Sequence, residues 1–213
     1  IPHVTAHYSR FTVTEISSNP NALNQFDNTK IVNAAKLLAD AKVNSIAWNG
    51  TSAGWLGFDA DRKLCLEIKE ATGIETTTSV LALAEIFTLK KIKKFGLVTP
   101  YLDDIQQKII HNFKKEGFDC IAEKHLGDKG NFSFSDYKPE TIKNMVREVA
   151  KSKPEAITIF CTNFRGGEVV EELEKELNIP IYDTVNITAW KCLKMCNEDT
   201  KVITGWGQLF QDL

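Results

Sequence analysis

The chain has 213 residues, 43% of them hydrophobic and 25% charged, a composition that supplies a large core and excludes disorder. Its formal net charge of -2, with no run of like charge beyond the Lys90-Lys91 and Lys93-Lys94 doublets, gives no footprint for nucleic acid or an anionic membrane. Five cysteines, an odd number without paired metal-ligand spacing, argue against a disulfide framework or zinc ribbon and for a reducing compartment. No apolar run reaches membrane-spanning length and no leader-like segment opens the chain, so the cytoplasm is the expected location. Ile1 is not an initiator methionine, and the natural chain is expected to start earlier.

In chain order, apolar β-branched runs alternate with stretches of helical period. The reading is strand 4–13, helix 28–41, strand 45–48, helix 59–72, strand 75–78 and helix 79–89. It continues with strand 94–98, helix 101–116, strand 119–124, helix 139–152, strand 156–160, helix 167–177, strand 179–183, helix 184–196 and strand 202–204. Gly73, Gly117 and Asn178 follow helical stretches and tolerate the left-handed conformation that closes a helix. The pattern predicts an α/β fold of parallel sheet flanked by helices, without a low-complexity linker.

An internal repeat sharpens this: IAWNGTS followed by TGIETTTS in the first half answers ITIFCTN followed by LNIPIYDT in the second. Two similar α/β lobes would turn their strand C-termini toward one cleft, where open α/β sheets bind ligands. The two strand ends differ in one respect. Cys161 ends the second, and Gly50 stands at the matching place in the first.

Cys161 enters a loop of small and polar residues, Thr162, Asn163, Arg165, Gly166 and Gly167, that leads into a helix, a setting whose backbone N–H groups favour a thiolate or an anion. Free cysteine is also among the most buried residue types, so its position alone fits a structural thiol as well. Gly50-Thr51-Ser52 supplies two hydroxyls and backbone donors for a carboxylate or enolate oxygen, although the same residues make ordinary turns. Tyr101, after the apolar run 95–98, can donate to an oxyanion, whereas Asp103 and Asp104 fit the first turn of a helix. His3, His7, His111 and His125 form no motif with Cys161, and Cys192 and Cys196 lack partners for a metal site. Neither GxGxxG nor GxxxxGK[ST] occurs, which speaks against a nucleotide. Trp48, Trp55, Phe132, Phe134 and Trp190 could wall an apolar pocket, though such aromatics more often belong to a core.

Taken in order, GTSAGWLG at 50–57, ATGIETTTSVLA at 71–82, LVTPYLDD at 97–104, the Cys161-Thr162-Asn163 loop and GWGQLF at 205–210 resemble the aspartate/glutamate racemase superfamily, in its arylmalonate decarboxylase and maleate cis-trans isomerase branch. The resemblance implies two pseudo-symmetric flavodoxin-like lobes in a single unit, here about 1–90 plus 200–213 and about 91–199, with the active site between them and no cofactor or metal. Racemases and maleate isomerases of this superfamily carry one cysteine from each lobe, whereas arylmalonate decarboxylase is closer to this chain in having Gly-Thr-Ser in the first lobe and one cysteine in the second. By this likeness Cys161 is the catalytic proton donor, and Gly50, Thr51, Ser52, Tyr101, Thr162 and Asn163 bind the substrate.

Thr162 and Asn163 replace two glycines of the decarboxylase, which narrows the pocket and implies a more polar substrate. The family also has a first strand and a substrate-contacting loop ahead of the segment 4–13, so either the natural chain starts earlier or one lobe is incomplete. The implied activity is loss of CO2 from a small malonate-type dicarboxylic acid, with the enediolate protonated by Cys161. The alternatives are a maleate isomerase with Cys161 as nucleophile and a non-catalytic ligand-binding module. The expected partner is a small dicarboxylate, not nucleic acid or membrane, and self-association is left open.

Overall fold

Parallel strands need a crossover of a dozen or more residues between them, and the spacing of the apolar runs provides one each time. The computed structural model describes residues 1–13, 15–17, 19 and 26–213. After helix α1 (Asn28–Asp40), β1 (Ile46–Trp48) pairs in parallel with β2 (Thr76–Thr78), Ile46 opposite Thr76. The crossover is made by a short helix α2 (Ala53–Leu56) and the longer α3 (Phe58–Thr72), and α4 (Ser79–Leu89) follows β2. The second sheet repeats this plan on a larger scale. Its strands β3 (Lys94–Thr99), β4 (Asp119–His125), β5 (Ala156–Ile159) and β6 (Ile181–Asp183) lie in the order β4-β3-β5-β6, all parallel. Helices α5 (Asp103–Lys115), α6 (Pro139–Ala150) and α7 (Val170–Leu177) cross between them, and α8 (Thr184–Met195) and α9 (Leu209–Asp212) complete the chain.

The two sheets meet through equivalent elements. Thr78 ends β2 and caps α4 by accepting from Leu81 N–H, while Asp183 ends β6 and caps α8 by accepting from Val185 and Asn186 N–H. The capped helices pack on each other, and Ser79 Oγ lies 2.7 Å from Thr188 Oγ1 across their contact. Residues of the four-stranded sheet, α4 and α8 share the main core, in which Phe87, Phe95, Phe113 and Phe118 stack edge on or tilted. A smaller core of Ile31, Ala35, Ile46, Leu64 and Ile68 lies against the two-stranded sheet. A parallel strand covered on both faces should read as a continuous apolar run, and Phe95–Thr99 and Ala156–Ile159 are buried at every position.

Gly73 and Asn178 adopt the left-handed conformation that closes α3 and α7, and Gly117, also at positive φ, follows α5. Two expected strands are absent. Residues 4–13 have no regular secondary structure and, among the described residues, enter no ladder. Their apolar side chains serve packing instead, with the Phe11 and Trp48 rings 5.2 Å apart and Val13 O accepting from Asn131 Nδ2. The run 202–204 is pre-empted by a tight 3-10 turn at Thr200–Val202, because Asp199 accepts from Lys201 N–H and Thr200 Oγ1 donates to Phe210 O. Helix α5 starts two residues later than the sequence suggests, since Leu102 stays extended, and the predicted helix at 167–177 opens with a 3-10 turn, Gly166–Val169.

Candidate active site

β1 and β5 end side by side at one cavity of about 400 Å³. Gly50, Thr51, Ser52, Tyr101, Cys161, Thr162 and Asn163 all line it, so residues up to 113 positions apart in the chain are brought together.

The first strand end is held from below. Ser52 O accepts from Trp55 and Leu56 N–H as α2 begins, and α2 lies so close to the second sheet that a Cβ on Gly54 would stand 2.6 Å from the Phe160 ring. Asn112 Nδ2 on α5 donates to Gly54 O and fixes that approach. Gly50 is crowded from the other side: a Cβ there would lie 2.2 Å from the Trp48 indole. That indole also donates through Nε1 to Ser52 Oγ at 3.3 Å. Trp48 therefore occupies the space into which a side chain at position 50 would project.

The second strand end is a thiol in a tight loop. Phe160 N–H continues the β5 ladder to Val98 O, and Phe164 N–H then turns back to Cys161 O. Cys161 is 3% exposed and its sulfur receives hydrogen bonds from Tyr101 and from the backbone N–H groups of Asn163 and Phe164. Burial pushes the Cys161 thiol up to about 12, and Asp183 pushes in the same direction; the three hydrogen bonds pull it back only in part. At neutral pH the group is an S–H, which can give a proton away.

Tyr101 links the two ends. Its hydroxyl lies 2.7 Å from Thr51 Oγ1 and also touches Cys161, and burial holds the phenol well above its ordinary value. Either hydroxyl can donate in this pair, so the two form one hydrogen-bonded line that reaches toward the thiol. The ring is fixed edge-on by Trp55 and Phe134, at 5.4 and 5.6 Å between centroids. Asn163 is exposed at the rim, where its Nδ2 donates to Asn131 O and Oδ1.

Of the five aromatics singled out from the sequence, Trp48 and Trp55 line the cavity. Phe134 is buried behind Tyr101, Trp190 lies in the main core, and Phe132 is 79% exposed. The stretch 7–11 together with Val13, Ile16, Phe26 and Asn131 also lines it. The strand expected at 4–13 hides the role of residues 7–11 and 13 from sequence reasoning; the lone arginine among apolar and hydroxyl neighbours is the signal that could have found it. No carboxylate side chain lines the cavity among the described residues, and no cluster of three or more His, Cys, Asp or Glu gathers to hold a metal there or elsewhere among them. No helix of the described residues is long and apolar enough to cross a membrane.

The fold and site define a two-lobed α/β protein with one buried thiol facing a hydroxyl-bearing turn across the cleft between parallel sheets. The family model for arylmalonate decarboxylase matches residues 15–210, and the chain belongs to that family of enzymes. It is 20% identical to the arylmalonate decarboxylase of Bordetella bronchiseptica over 185 residues, 85% of this chain and 77% of that one. It is equally 20% identical to the maleate isomerase of Pseudomonas putida over 212 residues, 96% of this chain and 83% of that one. In fold it is similar to a maleate cis-trans isomerase mutant of Nocardia farcinica with a covalently bound succinylcysteine intermediate, with a TM-score of 0.89, 20% identity, and coverage of 97% of this chain and 86% of that one.

Proposed function

We propose that the protein is a cofactor-independent decarboxylase acting on a small malonate-type dicarboxylic acid in the cytoplasm, where a reducing medium keeps its five cysteines as thiols. The observation that carries this reading is the pairing of one buried, protonated Cys161 with a first strand end that has no side chain at position 50 and an indole in its place. Loss of CO2 leaves the bonding electron pair on the α-carbon as an enediolate. Its oxygens need donors, and Thr51, Ser52 and Tyr101 stand ready; a single such donor is worth about 3 kcal/mol of activation free energy. Cys161 then gives its proton to the α-carbon from one face, and the thiolate regains a proton from water. Thr162 and Asn163 add polar groups at the rim, which suits a smaller and more polar substituent than an aryl ring.

A second reading has one observation in its favour, the sulfur-bound intermediate of the maleate isomerase relative. There Cys161 would add to a double bond as a thiolate, and burial that raises its pKa to about 12 opposes that form at rest.

The test is a panel of substituted malonates and maleate, assayed for CO2 release, for deuterium from D2O at the α-carbon, and for a protein adduct by intact mass. CO2 release with one deuterium per turnover and no adduct supports the decarboxylase. An adduct with maleate together with fumarate formation replaces it by the isomerase, and dicarboxylate binding without any turnover replaces both by a binding module.

A further inference from the structure

The charge of the cavity wall is one-sided in a way the reaction alone does not require. The segment carrying His7 and Arg10 lines the cavity, and among the described lining residues Arg10 is the only Lys or Arg and none is Asp or Glu. Arg10 is exposed, and among the described residues it makes no ion pair or hydrogen bond. Thr51, Ser52 and Tyr101, which share the lining, are buried and uncharged. A guanidinium left unpaired at the rim of a cavity without carboxylates is complementary to a ligand anion, and its planar fork matches a carboxylate in particular.

Building on the decarboxylase reading, we propose that Arg10 receives a second carboxylate that the substrate keeps through the reaction, so that the substrate is a malonate whose substituent itself carries an acid group. The carboxylate that leaves as CO2 loses its charge on the way to the transition state. Pairing that group with a guanidinium would stabilise the ground state more than the transition state and slow the step. The departing group belongs against the apolar walls, Trp48, Trp55, Phe11 and Ile16, and the retained one against Arg10. A malonate with a carboxymethyl substituent fits this scheme, and succinate is its product.

The experiment compares succinate with butyrate, which has a methyl group where succinate has its second carboxylate, by titration calorimetry. The wild-type protein is expected to bind succinate at least tenfold more tightly than butyrate. In Arg10→Gln that ratio falls to within about twofold while butyrate affinity stays put, and Arg10→Lys keeps part of the preference. Because the site is exposed, raising NaCl from 50 to 500 mM should also shrink the wild-type ratio. A ratio unchanged by Arg10→Gln, or a variant that weakens both ligands equally, overturns the assignment. The two readings fail separately. An Arg10-dependent succinate preference without CO2 release from any malonate removes the decarboxylase and leaves the carboxylate subsite, and CO2 release from carboxymethylmalonate at equal KM in wild type and Arg10→Gln does the reverse.

Discussion

β1 and β5 each end in a loop that lines the same cavity, and the sequence IAWNGTS answers ITIFCTN position for position, Gly50 to Cys161 and Trp48 to Ile159. At the second end the residue after the strand carries a thiol side chain. At the first it is missing, and the tryptophan two residues earlier folds over the place where it would be. The asymmetry of the site is thus built twice, once by the residue absent at 50 and once by the indole that fills the gap. A single cysteine substitution would not make the two ends alike.

The largest effect should fall on the end that carries the thiol. Cys161→Ala removes the proposed proton donor, and CO2-coupled turnover of the preferred malonate should drop about 1000-fold, within the range for removing a general acid. Circular dichroism should stay unchanged, since a small buried side chain is exchanged for a smaller one. Turnover within tenfold of wild type would place the proton donor elsewhere. Next come the hydroxyls that join the ends. Tyr101→Phe should lower kcat about 100-fold by removing one donor from the developing oxyanion. Thr51→Ala should cost less, and the double variant should cost less than the product of the two, because the hydroxyls form one hydrogen-bonded line. Strict additivity would show that they act independently.

The parallel strands and their crossovers could be read from the chain because fully buried strands leave continuous apolar runs, and Phe95–Val98 and Ala156–Phe160 are such runs. The gathering of Gly50, Thr51, Ser52, Tyr101 and the 161–163 loop at one cavity was legible for a related reason: strand C-termini of parallel sheets share an edge, so whatever follows them meets. The segment 4–13 departs from the strand its apolar β-branched residues suggest because such residues report burial, not pairing; Phe11 and Val13 are half-buried against the site without a ladder partner among the described residues. Trp48 was legible as a pocket wall but not as the group that fills the place of a side chain at position 50. Its role depends on a rotamer that lays the indole over a glycine two residues away, and sequence spacing contains no information about that.

This is where the comparison of strand ends can be broken by moderate changes. Gly50→Ala puts a Cβ within 2.2 Å of the indole, so the ring must leave its bond to Ser52, at a cost of about 1 to 3 kcal/mol in urea unfolding. Trp48→Leu should itself lose stability by opening a gap beside Phe11. In the double variant Gly50→Ala should become nearly free, a coupling of 1 kcal/mol or more between the two positions. Gly50→Cys made in the Trp48→Leu background should then exchange the α-proton of the product in D2O, which Gly50→Cys alone should do far more slowly. Equal exchange in both backgrounds would mean that the indole does not guard the position.

The smallest effect concerns a second pair of equivalent ends, Thr78 after β2 and Asp183 after β6. Both cap a helix, but only Asp183 is ionisable. Its Oδ1 accepts from two N–H groups while Oδ2 is buried without a partner among the described residues, and burial raises the carboxyl from 3.8 to about 7 against the pull of those bonds. A folded-state pKa above the unfolded one means that the contribution to stability is fully present below about pH 4 and is lost as pH rises through about 7. Asp183→Asn keeps the capping oxygen and removes the titration. The variant should therefore gain on wild type between pH 5 and pH 8, by about 1 to 3 kcal/mol in urea midpoints converted at constant slope. A gap independent of pH would mean that the carboxyl does not titrate in this window. The same substitution reaches the thiol, because Asp183 is one of the groups that hold Cys161 up. Without that charge the Cys161 thiol should ionise at lower pH, and since the proposed step consumes S–H, the alkaline limb of the activity profile should move toward neutrality by a fraction of a pH unit. Thr78→Val, which removes a neutral cap from the other end, should destabilise α4 by about 1 kcal/mol and leave that limb where it was.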